Sequence, residues 1–167
     1  RCAGCRYSRV AVIMDKITKS ILQKHEEYVT YFVWLAGWAS IFGSLYFSEI
    51  KGFIPCELCW WQRLLIYPLA IFATVAIIRK EYKNFAYYVL PFSVVGLIVS
   101  GYHSLLQWGI IEHNLLDCSE GAAVSCSNPE IMVFGFITIP FLAFLAFGSI
   151  TLVSSLSLYL SAKQTKK

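Results

Sequence analysis

The chain has 167 residues, of which 57% are hydrophobic and only 14% charged. A soluble domain carries roughly 25% charged residues, so this deficit excludes a surface that faces water all round. The formal charge of +4 is too small to suggest a nucleic-acid partner, and the 16% aromatic content suits a membrane interface, where Trp and Tyr are favoured.

The first 27 residues form a basic segment carrying Arg1, Arg6, Arg9, Lys16, Lys19 and Lys24. Met14 opens an amphipathic lead-in, and residues 1–13 read as extraneous to the rest. They contain Cys2 and Cys5, a C-x-x-C spacing with no second ligand pair and no strand–helix context, which argues against a metal or redox role. Four long apolar stretches follow, at about 28–47, 60–78, 85–108 and 131–160. Each is of the length that spans a hydrocarbon core, about 20 residues. The first is too long for a removable signal peptide and lacks a small-residue cleavage site. Arg63 is the one strongly charged residue within the four stretches, and His103 is the other ionisable group at depth. Small residues recur at Gly37, Ser40, Gly43, Ser44, Gly96, Ser100 and Gly101, where they allow close helix approach. The expected fold is all-α: an integral membrane four-helix bundle, 28–160, with two extracytoplasmic loops carrying cysteine pairs, followed by a basic tail at 161–167.

Orientation follows from the cations. Arg79, Lys80 and Lys83 lie between spans two and three, and Lys163, Lys166 and Lys167 lie in the tail. The first outer link has one lysine, Lys51, and the second has none but holds Glu112, Asp117, Glu120 and Glu130. The positive-inside rule then places both termini in the cytoplasm of a plasma-membrane protein. Cys56, Cys59, Cys118 and Cys126 fall on the oxidising outer side, where pairs of thiols persist as disulfides.

Pro55-Cys56-Glu57-Leu58-Cys59-Trp60-Trp61-Gln62-Arg63 carries the most chemical information. A C-x-x-C pair at a helix start meets unpaired N–H groups and a partial positive charge, which favour a thiolate. Arg63 lies four residues beyond Cys59, hence on the same face, where it suits a thiolate or a carbonyl oxygen. Taken singly, the pair reads as a passive disulfide and Arg63 as a snorkelling side chain. Taken together they read as a redox site. Cys118 and Cys126 lie in the loop 110–130, separated by small and polar residues that let Cys126 swing; the bland reading is a structural disulfide. Two pairs on one side of a small bundle can exchange disulfides in relay. His103, late in span three, falls at the level of Arg63, so the two are expected to meet and to hydrogen-bond the oxygens of a quinone ring. The alternative for His103 is a bond to a backbone carbonyl.

Cys56-Glu57-Leu58-Cys59-Trp60-Trp61-Gln62-Arg63 with Tyr67-Pro68, Gly43-Ser44-Leu45-Tyr46-Phe47-Ser48-Glu49, Tyr102-His103 and Phe134-Gly135-Phe136-Ile137-Thr138-Ile139-Pro140 resemble the DsbB family of disulfide bond formation proteins, in particular its Gram-positive BdbC branch. The Cys118–Cys126 interval is shorter than in the proteobacterial type. The resemblance implies a quinone-dependent dithiol oxidase supporting disulfide formation in exported proteins. In it, Cys118–Cys126 accepts electrons from an extracytoplasmic DsbA- or BdbD-like thioredoxin-fold protein, and Cys126 exchanges with Cys56. Cys59 then reduces a quinone from the membrane pool, menaquinone or ubiquinone, held by Arg63 and His103. No metal is implied. Three other readings compete, one of which keeps the enzyme but reverses electron flow, supplying reductant outward. A vitamin K epoxide reductase-like protein has its loop pair before the C-x-x-C, the reverse of the order here. A non-enzymatic scaffold with structural disulfides explains the helices but not Arg63 beside Cys59.

Overall fold

The structure is a computed structural model that describes residues 4–111 and 138–165. Every regular element among them is helical: α1 (Gly4–Leu45), a π-helical turn (Tyr46–Ile50), α2 (Glu57–Arg79), α3 (Phe85–Gln107) and α4 (Ile139–Thr165). All four long helices are long and apolar enough to cross a membrane. They form a closed ring in which α1 packs on α2, α2 on α3, α3 on α4 and α4 back on α1. This is the all-α membrane bundle expected from the four apolar stretches.

The boundaries differ from the sequence reading in places. The lead-in and the first span are one helix, because no proline interrupts residues 4–45. Span two begins at Glu57 rather than Trp60, since Glu57 tolerates the N-terminal turn as well as any apolar residue and favours its dipole. The start expected for span four, residues 131–138, lies mostly outside the described residues, as does the loop pair Cys118 and Cys126.

The outward faces are apolar throughout: Leu35, Ile78, Leu152 and Tyr159 are each more than 60% exposed. In water such a surface would be untenable; in lipid it is the solvated face. The core is built from Val33, Leu69, Ala70, Ala73, Val89, Phe147 and Ile150. Small residues set its spacing, though not all those noted in the sequence do so. A Cβ on Gly37 would lie 3.1 Å from Ala70 Cβ, so α1 and α2 touch there. A Cβ on Gly96 would overlap the buried Phe147 ring. Gly43, by contrast, has nothing within 4 Å and faces open space. We expect Gly96→Ala to destabilise the α3–α4 packing by about 1–3 kcal/mol, the usual penalty of overpacking. A lowered unfolding temperature in detergent would show it, and an unchanged one would mean that the Phe147 ring moves aside freely.

Several polar groups of the bundle are bonded locally, whereas the buried hydroxyls of Thr138 and Ser154 have no partner among the described residues. Ser100 donates to the Gly96 carbonyl at 2.7 Å, and Thr30 to the Glu26 carbonyl at 2.9 Å. Thr74 donates to the Ala70 carbonyl and accepts from both the Trp34 and Trp38 indoles, at 3.1 and 3.2 Å, clasping α1 to α2. The α2–α3 connection is short. Lys80 and Asn84 adopt left-handed backbone, with φ of 55° and 63°, and the Glu81 N–H returns to the Ala76 carbonyl. Such a tight basic turn holds the two helices adjacent and antiparallel, and brings the end of α3 level with the start of α2.

Candidate functional site

At that level the chain makes three local departures from regular helix. α1 ends in the π-helical turn Tyr46–Ile50, a geometry often found at functional sites. Gly52 then takes φ of +72°, which only glycine adopts without strain, and the chain runs extended through Pro55 into Cys56. Cys56 is the N-cap of α2, with no side-chain capping bond. The backbone N–H groups of Glu57, Leu58 and Cys59 are therefore the first turn's orphan donors. The C-x-x-C pair thus sits at a helix N-terminus, as its spacing suggested.

Both cysteines are free thiols, with Cys56 donating to the Cys59 sulfur at 3.1 Å. Cys56 is buried; Cys59 is half-buried. The two have different surroundings. The hydrogen bond to Cys59, followed by burial, pushes the Cys56 thiol up from 9.0 to about 12, with His103 opposing. Cys56 therefore stays a thiol at neutral pH and stabilises negative charge on its neighbour. Alkylation by iodoacetamide near neutral pH is expected to mark Cys59 first, with Cys56 reacting only as the pH rises toward 12. Peptide mass spectrometry of the reduced chain reads the order; equal labelling of the two would contradict the asymmetry.

Beside the pair lies a cavity of about 350 Å³ between α1, α2 and α4, the size of a small-molecule site. Cys56 at the N-cap and Cys59, Gln62 and Arg63 on α2 line it, with Gly43, Ser44 and Phe47 from the end of α1 and its flank and Pro140 and Ala143 from α4. Its walls are chiefly apolar. Arg63 is held in place by Ser44, its Nε donating to Ser44 Oγ at 2.7 Å and its Nη2 to the Ser44 carbonyl at 3.1 Å. The guanidinium also lies 5.6 Å from the centre of the Trp60 ring, a cation–π contact. Cys59 and Arg63 thus share one helix face and one cavity, as the i, i+4 spacing anticipates.

His103 is placed differently from the sequence expectation. It is fully buried in α3 and does not line the cavity. Its Nε2 lies 3.7 Å from Cys56 Sγ, and its Nδ1 lies 3.1 Å from Gln62 Nε2. With the Gln62 amide donating to Nδ1, the imidazole proton sits on Nε2 and points at the Cys56 sulfur. His103 therefore meets the dithiol from behind, and Arg63 meets the cavity in front. The heights of the two residues are similar, but helical phase separates them. Gln62 and Ser44 are two participants that sequence reasoning passed over. Gln62 is a buried amide in an apolar span, a signal in itself. Ser44 looked like a packing residue and is instead the anchor of Arg63.

Residues 26–157 match the family described as disulfide bond formation protein DsbB. The chain is 44% identical over 117 residues to disulfide bond formation protein C of Bacillus subtilis (strain 168), covering 70% of this chain and 83% of that one. It is 39% identical over 132 residues to probable disulfide formation protein C 1 of Bacillus anthracis, covering 79% and 93% respectively. The SPbeta prophage-derived disulfide bond formation protein B of Bacillus subtilis (strain 168) is 35% identical over 143 residues, covering 84% and 93%. No solved structure matches the chain. A membrane bundle with a free C-x-x-C at a helix start, an anchored arginine one turn deeper and these relatives belongs to the DsbB family of disulfide bond formation proteins.

Proposed function

We propose that the protein is a membrane thiol:quinone oxidoreductase that re-oxidises an extracytoplasmic thioredoxin-fold thiol oxidase. The observation that carries this reading is the apolar cavity bounded on one side by Cys59 and on the same helix face by Arg63. A planar, largely apolar ring with two polar oxygens fits such a space. Gly43 leaves the wall open where a side chain would intrude, and the guanidinium offers N–H donors beyond the two that Ser44 takes. A quinone bound there supplies the two-electron sink that thiols alone lack.

The residues of the chain do the rest. Cys59 presents its sulfur to the cavity, and the thiol of Cys56 stabilises charge on it by hydrogen bonding. Arg63 orients an acceptor oxygen and stabilises negative charge on it. His103 Nε2 sits where a proton can pass to or from Cys56 when that sulfur exchanges. Loss of two electrons from Cys56 and Cys59 forms their disulfide and releases two protons. A dithiol partner, acting through Cys118 and Cys126, returns the pair to the reduced state by thiol–disulfide exchange. The cation distribution supports an orientation with both termini in the cytoplasm and the cysteines outside. The partner would be of the DsbA or BdbD kind, and the acceptor menaquinone or ubiquinone.

The test is anaerobic quinone reduction by the purified protein in detergent, with a reduced thioredoxin-fold oxidase as donor. Turnover that requires both donor and quinone is expected. No turnover with either quinone class, in protein whose helices are intact, would overturn the reading.

A further inference from the structure

The reduced dithiol and its histidine form a cluster whose donor set has a second chemical capacity beside the relay. Cys56 Sγ, Cys59 Sγ and a nitrogen of His103 all lie within 4.8 Å of one another. We propose that the reduced protein binds one soft divalent cation of the Zn²⁺ class at Cys56, Cys59 and His103, and that forming the Cys56–Cys59 disulfide abolishes the site. The ion is an inhibitor that locks the dithiol, not a cofactor of the reaction.

The donor set is that of a Cys₂His zinc site, with two thiolates and one imidazole. The geometry requires little movement. Tetrahedral coordination with Zn–S bonds near 2.3 Å sets two thiolates about 3.8 Å apart. The sulfurs are 3.1 Å apart and separate by one small side-chain rotation. Cys56 Sγ to His103 Nε2 is 3.7 Å, close to the separation two such ligands already need. Two independent elements supply the donors, the first turn of α2 and the end of α3, so the arrangement is not just the local geometry of C-x-x-C. His103 is fully buried, which limits the freedom it must lose on binding.

Gln62 supplies the outer contact that a metal-bound histidine usually has. Its amide lies 3.1 Å from Nδ1. Turned through half a rotation, it accepts from Nδ1–H through Oε1 and frees the Nε2 lone pair for the ion. The fourth position opens on the cavity side, past half-buried Cys59, where a water completes the shell. The balance is simple: one divalent cation binds, two thiols lose their protons, and no electron moves. While the ion is bound neither sulfur is free to form a disulfide.

The experiment uses the full chain in detergent with Cys2→Ser, Cys5→Ser, Cys118→Ser and Cys126→Ser, so that Cys56 and Cys59 are the only thiols. Reduced protein is titrated anaerobically with Co²⁺, followed by thiolate-to-cobalt absorption, and Co²⁺ is then displaced with Zn²⁺. One ion per reduced chain is expected, with none bound by the oxidised chain. Gln62→Leu should weaken binding about 10–100-fold, as outer-shell changes do, and His103→Ala should weaken it more. Stoichiometric binding unchanged in both variants would overturn the proposal, as would equal binding by the disulfide form or no binding at all. Should His103→Ala fail to fold, Zn²⁺ protection of Cys56 and Cys59 from alkylation in the otherwise unaltered chain decides the matter: no protection overturns it. These readouts need neither quinone nor partner, so their failure is distinct from failure of the proposed electron acceptor.

Discussion

Replacing Cys59 with serine is expected to reduce quinone-linked turnover by ~10³-fold or more while leaving the bundle intact. Loss of a reacting nucleophile commonly costs this much or more. The physical reason lies in the asymmetry of the pair. Both cysteines border the cavity, but Cys56 is buried and held as a thiol, its proton directed at Cys59, whereas Cys59 is half-buried and shares a helix face with Arg63. A hydroxyl at position 59 fills nearly the same space but cannot form a disulfide, so the two-electron step has no sulfur to start from. Stability should change little, within about 1 kcal/mol, because Cys59 is half-buried and lies at a helix end. Helical circular dichroism and unfolding in detergent check that half of the expectation. Retained turnover in the serine variant would remove Cys59 from the reaction. A large loss of stability instead would favour a scaffold with structural thiols.

Arg63→Ala should weaken quinone use about 10–100-fold, read as a raised apparent KM for quinone, and leave dithiol exchange with the partner nearly unchanged. A hydrogen bond to a charged group in a buried site contributes about 1.5–3 kcal/mol, which sets that range. Ser44 already fixes the guanidinium through two bonds, so its orientation is established before any ligand arrives. Preorganisation of this kind is what a bound oxygen would exploit. Arg63→Lys separates charge from shape. Lysine keeps the positive charge but loses the planar fork and the paired contact with Ser44, so an intermediate KM is expected. Ser44→Ala tests the anchor itself and should shift KM in the same direction by less. An unchanged apparent quinone affinity in Arg63→Ala would take Arg63 out of the site.

Much of this molecule was legible from residue order. The four apolar spans needed no tertiary information, because a chain crossing lipid must satisfy its backbone internally and so forms helices. The position of the C-x-x-C pair was equally plain: Pro55 before Cys56, and Arg63 four residues after Cys59, mark a helix start with its polar face. Other features depended on packing. Gly43 and Gly96 look alike in sequence, yet one opens a cavity and the other touches Phe147. The amphipathic lead-in from Met14 and the lack of proline are compatible with a helix, but the sequence reading kept this basic, polar segment separate from the first span, whereas α1 runs unbroken from Gly4.

Local sequence by itself determined the class of protein, its spans and the placing of a cysteine pair at a helix start, because hydropathy, helical spacing and capping act over a few residues. Tertiary structure alone decided which side of the dithiol each ionisable group occupies. Arg63 and His103 stand at one height in the bundle, but the rotation of α3 about its axis turns His103 toward Cys56 and Gln62. The ending of α1 in a π-helical turn brings Ser44 to Arg63 and leaves the cavity beside Cys59. Helix phase and packing are set by contacts between residues distant in the chain, so no reading of spacing within one helix can supply them.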